Sequence, residues 1–304
     1  MKAKIISFFS VLMAAVVCSG CSNSENVSTF NSNFFEAVES SSTVVIDTSI
    51  QETDDWKFQY DEKAGGIIIK ECLCANKDSD DLIKSRDADI VVPSSFEGFE
   101  GIKVVGIDER VFYRRVMKSL TLPNTVVSIG RKAFSEVYIS EELVIPESVT
   151  YIGEEAFSYS HIKSVVLPPM EAIGSKIFYK SGVEKVVMTE GTRVITNSAF
   201  FECARIKELV IPDSVEEIDR GGLNFIINLN NPELEQEFVL RLPNSLKKMD
   251  IDDYEMPYYF YNSLRVSYPK TIFKEKTYDF LSCKNSNERK QLAEELQTAI
   301  DNNA

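Results

Sequence analysis

Residues 148–169 read SVTYIGEEAFSYSHIKSVVLPP, a step from Ser-Val to Ile-Gly, an Ala-Phe pair, then an alternating apolar run closed by proline. The same order of residue types returns along most of the chain. The isoleucine recurs at Ile107, Ile129, Ile152, Ile173, Ile195 and Ile218, with gaps of 22, 23, 21, 22 and 23 residues. Five positions further on stand Phe112, Phe134, Phe157, Phe178 and Phe200, with Leu223 in the sixth unit. The proline-ended run appears as VVP at 91, LTLP at 120, LVIP at 143, VVLP at 165, VVMT at 186, LVIP at 209 and LRLP at 240, so Thr189 is the one proline replacement. Self-similarity at a period of 20 to 50 residues identifies stacked repeats before any other fold class is considered.

Each part of the unit has a physical role. The V-x-I or L-x-L run places two apolar side chains on one face and one on the other, the period-two signature of a half-buried strand. Proline ends the strand because it fixes φ and offers no N–H to a ladder. Gly106, Gly130, Gly153 and Gly174 are expected to supply a backbone conformation that a side chain would resist. Ala-Phe then sets a large ring into the interior beside a residue small enough to admit it. A single unit leaves its apolar face wet, so it must stack on its neighbours.

These residues resemble the BspA-type leucine-rich repeat, whose pattern runs roughly L-x-x-I-x-I-P-x-S-V-x-x-I-G-x-x-A-F-x-x-C. Residues 143–157 match it nearly throughout, and Cys203 stands at the terminal cysteine position after Ala199 and Phe200. IVVPSSFEGFEGIKVVGIDERVF, from Ile90, resembles the family's first repeat with its longer loop. The resemblance covers about residues 89–250 and implies a mainly β leucine-rich repeat solenoid of parallel stacked short strands. It also implies adhesion or contact with host or community at a bacterial surface. After Asp219 the stretch GGLNFIINLNNPELEQEF interrupts the period, and YPKTIF is a faint echo of it.

The flanks divide the rest. Lys2 and Lys4 precede an apolar run from Ile5 to Val17 and then CSGC, the layout of a secretory signal. The run is shorter than the about 20 residues of a spanning helix. Ser19 and Gly20 before Cys21 resemble a bacterial lipobox, which implies lipid on Cys21 after removal of residues 1–20; Cys18 departs from the usual Leu. Residues 21–50, rich in Ser, Asn, Thr and Glu, read as a flexible tether. Residues 51–88 read as an N-terminal β cap, with WKFQY and IIIKECLC forming a hairpin about Gly65 and Gly66. Repeats are expected over 89–270 and a C-terminal cap over 271–304. There Asn287 is expected to cap a helix carrying Leu292, Leu296, Ala299 and Ile300 on one side.

The formal net charge is −14, and loss of Lys2 and Lys4 with the signal makes it −16. That balance excludes a phosphate-backbone-binding field of Lys and Arg, so no nucleic acid partner is expected. No phosphate-cradling glycine loop or dinucleotide fingerprint is present, the cysteines beyond Cys21 lack the paired C-x-x-C spacing of a zinc site, and no cofactor or metal site is assigned. The acidic run DIDDYE at 250–255 lacks the fixed spacing of a calcium loop and reads as a solvated turn. Cys72, Cys74, Cys203 and Cys283 read as isolated thiols, with a disulfide left open. His161, the single histidine, lies in the turn SYSHIK, where sibling repeats carry Val137, Val183 or Arg205, so no catalytic residue is assigned.

The informative surface is the strand column. With Leu120 and Leu122 inward, Thr121 points out, and the same rule gives Val144, Val166, Val187, Val210 and Arg241. Ser119, Glu142, Ser164, Lys185 and Glu208 flank it. The candidate ligand-binding residues are Thr121, Glu142, Val144, Val166, Lys185, Val187, Glu208, Val210 and Arg241. The expected function is non-covalent binding of a protein or glycan by a lipid-anchored extracytoplasmic surface protein. A passive spacer is the alternative, and a hydrolase built around His161 is disfavoured.

Overall fold

Each coil closes on itself in three sides because its apolar residues sit at three separated positions and must meet in the middle. The computed structural model describes residues 46–73, 88–219, 221–223, 227–228, 239–249, 265–266, 270–280, 282–283 and 285–304. The chain divides into two units, Met1–Ser49 and Ile50–Ala304, and the second carries the repeats. The signal, Cys21, most of the tether, Cys74 and residues 250–255 lie outside the described residues.

The first side is the proline-ended strand. Val116–Met117, Tyr138–Val144, His161–Leu167, Lys185–Met188 and Glu208–Val210 form one five-stranded parallel sheet. Leu143 and Ile145, Val165 and Leu167, and Val186 and Met188 turn inward and are buried. The second side is the Ile-Gly segment. Val104–Ile107, Ser128–Ile129 and Tyr151–Ile152 stack in parallel in one sheet. Ala172–Ile173, Val194–Ile195, Glu217–Ile218 and Lys248–Met249 stack in another.

The third side is the turn that carries the ring. Its backbone makes a coil-to-coil ladder without a regular strand: the amides of Phe112, Phe134, Phe157 and Phe178 donate to the carbonyls of Ala133, Ala156, Ile177 and Ala199 at 2.8 to 2.9 Å. Inside, Phe112, Phe134, Phe157, Phe178 and Phe200 stack face on face, with centroids 5.1, 5.0, 5.2 and 5.2 Å apart and planes within 15°. Burying one such ring contributes about 1.5–3 kcal/mol, and each ring pair adds about 0.5–1.5 kcal/mol. Trp56 closes the near end of the stack edge-on, 6.2 Å from Phe112, and buried Leu223 holds the next ring position after Phe200.

Both ends differ in detail from the sequence expectation. The N-terminal cap is a three-stranded antiparallel meander, Gln51–Glu52, Trp56–Asp61 and Gly66–Cys72, where a hairpin is expected. Its last strand pairs in parallel with Val104–Ile107, so the described part of the cap extends the second side. At the other end the faint echo is a true coil strand: Lys270–Phe273 pairs in parallel with Val239–Arg241 and folds back on Lys276–Asp279. The helix is Ser286–Asp301, and its N-cap is Asn285, not Asn287; the Asn285 side chain accepts from the Glu288 amide at 3.0 Å. Leu296 and Ile300 are buried, with Leu292, Ala293 and Ala299 half-buried against the core.

The glycines serve a purpose other than the expected one. Gly130, Gly153 and Gly174 do not have positive φ. A Cβ on Gly153 would stand 2.6 Å from the Arg131 amide nitrogen and 2.8 Å from the Gly130 carbonyl carbon, so glycine is required for coil-to-coil approach. The left-handed conformation falls instead on side-chain-bearing residues. Arg110, Arg114, Lys132, Glu136, Glu155, Tyr159, Lys176 and Lys180 all have φ between 54° and 59°. Each donates its amide to a carbonyl of the following coil. Left-handed geometry costs about 1–2 kcal/mol per residue, and the recurring bonds along the stack hold it.

The two reasons for glycine separate experimentally. Gly153→Ala should cost about 3 kcal/mol, because the clash is with backbone. Gly65→Ala, at φ 68° with open space around it, should cost about 1 kcal/mol; chemical denaturation of both variants measures the difference. Thr192 stands where the repeat has Val126, Val149 and Val215, and its hydroxyl is buried with no partner among the described residues. Thr192→Val should therefore stabilise the fold by about 1 kcal/mol in the same assay.

Candidate functional site

The proline-ended face carries a column of valines. Val144, Val166, Val187 and Val210 are direct partners across three successive parallel pairings. Val144 is 53% and Val210 39% exposed, while Val166 and Val187 are half-buried. The polar flank is largely satisfied within itself: Lys185 pairs with Glu208 at 3.0 Å, and the Ser164 hydroxyl donates to Glu142 at 2.9 Å. Ser164 is buried, contrary to its expected place on an exposed flank. Thr121 is exposed but faces Val91 in a separate two-stranded pairing, with Ser119 donating to Asp89 at 2.5 Å. That hydroxyl, helped by Lys118, holds the Asp89 carboxyl below its ordinary range.

Arg241 is exposed on the strand that pairs with Lys270–Phe273, outside the five-stranded sheet. The structure thus brings Glu142, Val144, Val166, Lys185, Val187, Glu208 and Val210 onto one sheet. Thr121 and Arg241 stand on separately paired strands. One continuous ladder of all these positions was the expectation; the hydrogen-bonded pairings fall into three groups, while Ser119–Thr121 lies against Tyr138–Val144 and Val239–Arg241 against Glu208–Val210.

Beside the valine column lies a notch of about 220 Å³, lined by Tyr138, Ile139, Ser140, His161, Ile162, Lys163, Gly182, Glu184 and Arg205. Two local features open it. The strand Tyr138–Val144 carries a bulge, with the register shifting between Ile162 and Ser164, so Ser140 and Glu141 oppose Lys163 alone. Bulges of this kind re-aim side chains at functional edges. In the next coil Gly182 leaves space beside the imidazole, since a Cβ there would stand 2.9 Å from His161 Cδ2. His161 begins its strand and pairs with Tyr138, which corrects the turn placement; Tyr138 and Gly182 hold the equivalent positions, where Val137 and Val183 were expected. The repeat period made these positions look interchangeable, and only the bulge and the missing side chain reveal the notch.

Glu184, the carboxylate in the notch, accepts from Lys207 at 3.0 Å. Among the described residues Cys203 and Cys283 are free thiols, and Cys72 is buried. Cys203 is buried and donates to the Phe178 carbonyl at 3.0 Å, and its burial pushes the thiol far above its ordinary range. Among the described residues no three His, Cys, Asp or Glu side chains converge as a metal site, and no helix is long and apolar enough to cross a membrane.

With this geometry in view, the relationships of the chain are specific. Residues 105–225 match the BspA type leucine rich repeat region in six copies. Among solved structures, similarity extends to a leucine rich cell surface protein from Faecalibacterium prausnitzii A2-165, at 19% identity, TM-score 0.44, 67% of this chain and 51% of that one. A leucine-rich repeat protein from Eubacterium ventriosum ATCC 27560 is similar at 14% identity, TM-score 0.48, 66% and 47% coverage. A leucine rich repeat protein from T. pallidum follows at 20% identity, TM-score 0.38, 56% and 85% coverage. The chain spans about half the length of the first two. No curated protein matches it.

Burial makes one consequence measurable. In the native protein at pH 8, iodoacetamide should leave Cys203 unmodified, and denaturant should expose it fully; peptide mass mapping of that cysteine reads the outcome.

Proposed function

We propose that this protein is a surface-displayed interaction module that binds a protein or glycan non-covalently on its proline-ended face. The observation that carries the reading is the in-register column Val144, Val166, Val187 and Val210, with Val144 and Val210 exposed and Val166 and Val187 half-buried. An apolar stripe between satisfied polar flanks offers contact area with little desolvation cost. The stacked core makes that face rigid, so binding loses little conformational entropy.

We further propose that the chain is held at the outer surface of a bacterial membrane by lipid on Cys21, followed by a tether over residues 21–50. The support is the basic, apolar and small-residue order ahead of Cys21. Display of many copies on a membrane raises a weak single-site affinity by about 10² or more without new contacts.

The test is capture of a binding partner by the full chain from surface extracts, compared with Val144→Glu and Val210→Glu. These two positions are exposed enough to carry a charge without unfolding. Each variant should lose at least about tenfold in partner affinity while keeping the parent melting temperature, and Val144→Thr should bind nearly as well as the parent. Full retention of the partner by both charged, folded variants would remove the face as the site. A His161→Ala variant with altered turnover of any substrate would favour an enzyme instead.

A further inference from the structure

We infer that the notch at His161 is a subsite for an acidic sugar residue, one unit carrying a carboxylate or a sulfate ester. This rests on the reading of the proline-ended face as a binding surface and assigns its charge preference. The chain carries a formal net charge of −14, yet Lys163 and Arg205 both line this one depression together with His161. Lys163 and Arg205 are exposed, and neither makes an ion pair with the described residues. The single acid of the lining, Glu184, is engaged by Lys207. Elsewhere on the repeats the basic side chains are commonly matched to acids of neighbouring coils, as in Lys185 with Glu208, Arg114 with Glu136 and Arg193 with Glu216. Two unmatched cations converging on one concavity of an acidic protein create a local field that attracts an anion and excludes a like charge.

The shape chooses among anions. At about 220 Å³ the notch is smaller than the pockets of about 300–1,000 Å³ that take whole drug-sized ligands, so it fits one unit of a longer chain. Tyr138 forms one wall and is 36% exposed, offering a ring face on which the C–H face of a sugar can lie. The His161 ring and the Ser140 hydroxyl add polar groups beside it.

An extended acidic peptide is the less suitable occupant. Such peptides commonly bind by adding a strand to a free sheet edge. Here Tyr138–Val144 is paired on one side with Val116–Met117 and on the other with His161–Leu167, and beyond His161 the amides of Gly182 and Glu184 donate to the carbonyls of Ser160 and Ile162. No edge is open at the notch, so recognition there must run through side chains.

The experiment is a titration of the full chain with glucuronic acid, glucose 6-sulfate, glucose, inorganic sulfate and a short polyglutamate peptide, followed by NMR at low ionic strength. The two acidic sugars should bind in the millimolar range and at least about tenfold more tightly than glucose. The resonances of His161, Tyr138 and Gly182 should move together. Lys163→Gln with Arg205→Gln should lose at least about tenfold in acidic-sugar affinity. Tyr138→Ala should weaken the acidic sugars and leave inorganic sulfate unchanged. Equal affinity for glucose and glucuronic acid, or undiminished binding in the double glutamine variant, would overturn the inference. So would polyglutamate or sulfate matching the acidic sugars with no effect of Tyr138→Ala, the first marking an acidic protein partner and the second a simple anion site. The broader reading is scored separately: if the double glutamine variant still captures the partner lost by Val144→Glu and Val210→Glu, the notch fails and the binding face stands.

Discussion

The structure depends on ring-on-ring contact between successive coils. Five phenylalanines from Phe112 to Phe200 form an unbroken column with centroids 5.0 to 5.2 Å apart. That spacing is close to the about 4.8 Å between paired strands, so one translation satisfies both the interior and the backbone. Neither would persist alone. A single coil exposes its ring, and a strand of two to four residues exposes its amides, so stability arises only from stacking. The ends must therefore be closed, and Trp56 at one and Leu296 and Ile300 near the other are buried residues from elements outside the regular period.

The same translation dictates the local conformations that look costly in isolation. Gly153 is a glycine because the backbone of the preceding coil passes within contact of where a Cβ would stand. Lys132 and Glu136 adopt left-handed backbone because that geometry points their amides at Glu154 and Ser158 of the next coil. Their long polar side chains remain on the outside, where Lys132 reaches Glu155 and Glu136 receives bonds from Tyr113 and Arg114. Strain, charge pairing and stacking are thus one arrangement repeated coil by coil.

A surface built by translation is uniform unless something breaks the translation. The valine column is what uniform repetition produces. The notch is what a departure produces: one extra residue in Tyr138–Val144, one absent side chain at Gly182, and two cations, Lys163 and Arg205, without acidic partners among the described residues. The repeats thus carry a shared apolar stripe beside one chemically distinct indentation.

The repeat was legible in the sequence because its signal is periodic: Ile, Gly, Ala, Phe and the proline-ended run return at nearly constant spacing, and every one of the five Phe positions is buried. The outward side of the strand was legible for the same reason, since alternation places Val144 opposite Leu143 and Ile145. What the sequence left open is what stacking decides. Apart from Ser198, the left-handed residues of the coils are Arg, Lys, Glu and Tyr, types with no local preference for that conformation, so the hydrogen bonds between coils assign it. The cap joins the Ile-Gly side because its last strand pairs with Val104–Ile107, a pairing between segments far apart in the chain. KTIF at 270–273 is a coil strand only because Val239–Arg241 stands beside it. His161, Lys163, Gly182 and Arg205 are spread over three repeats as ordinary variable positions, and they become one site only when the coils are laid on one another with the register shifted by a bulge.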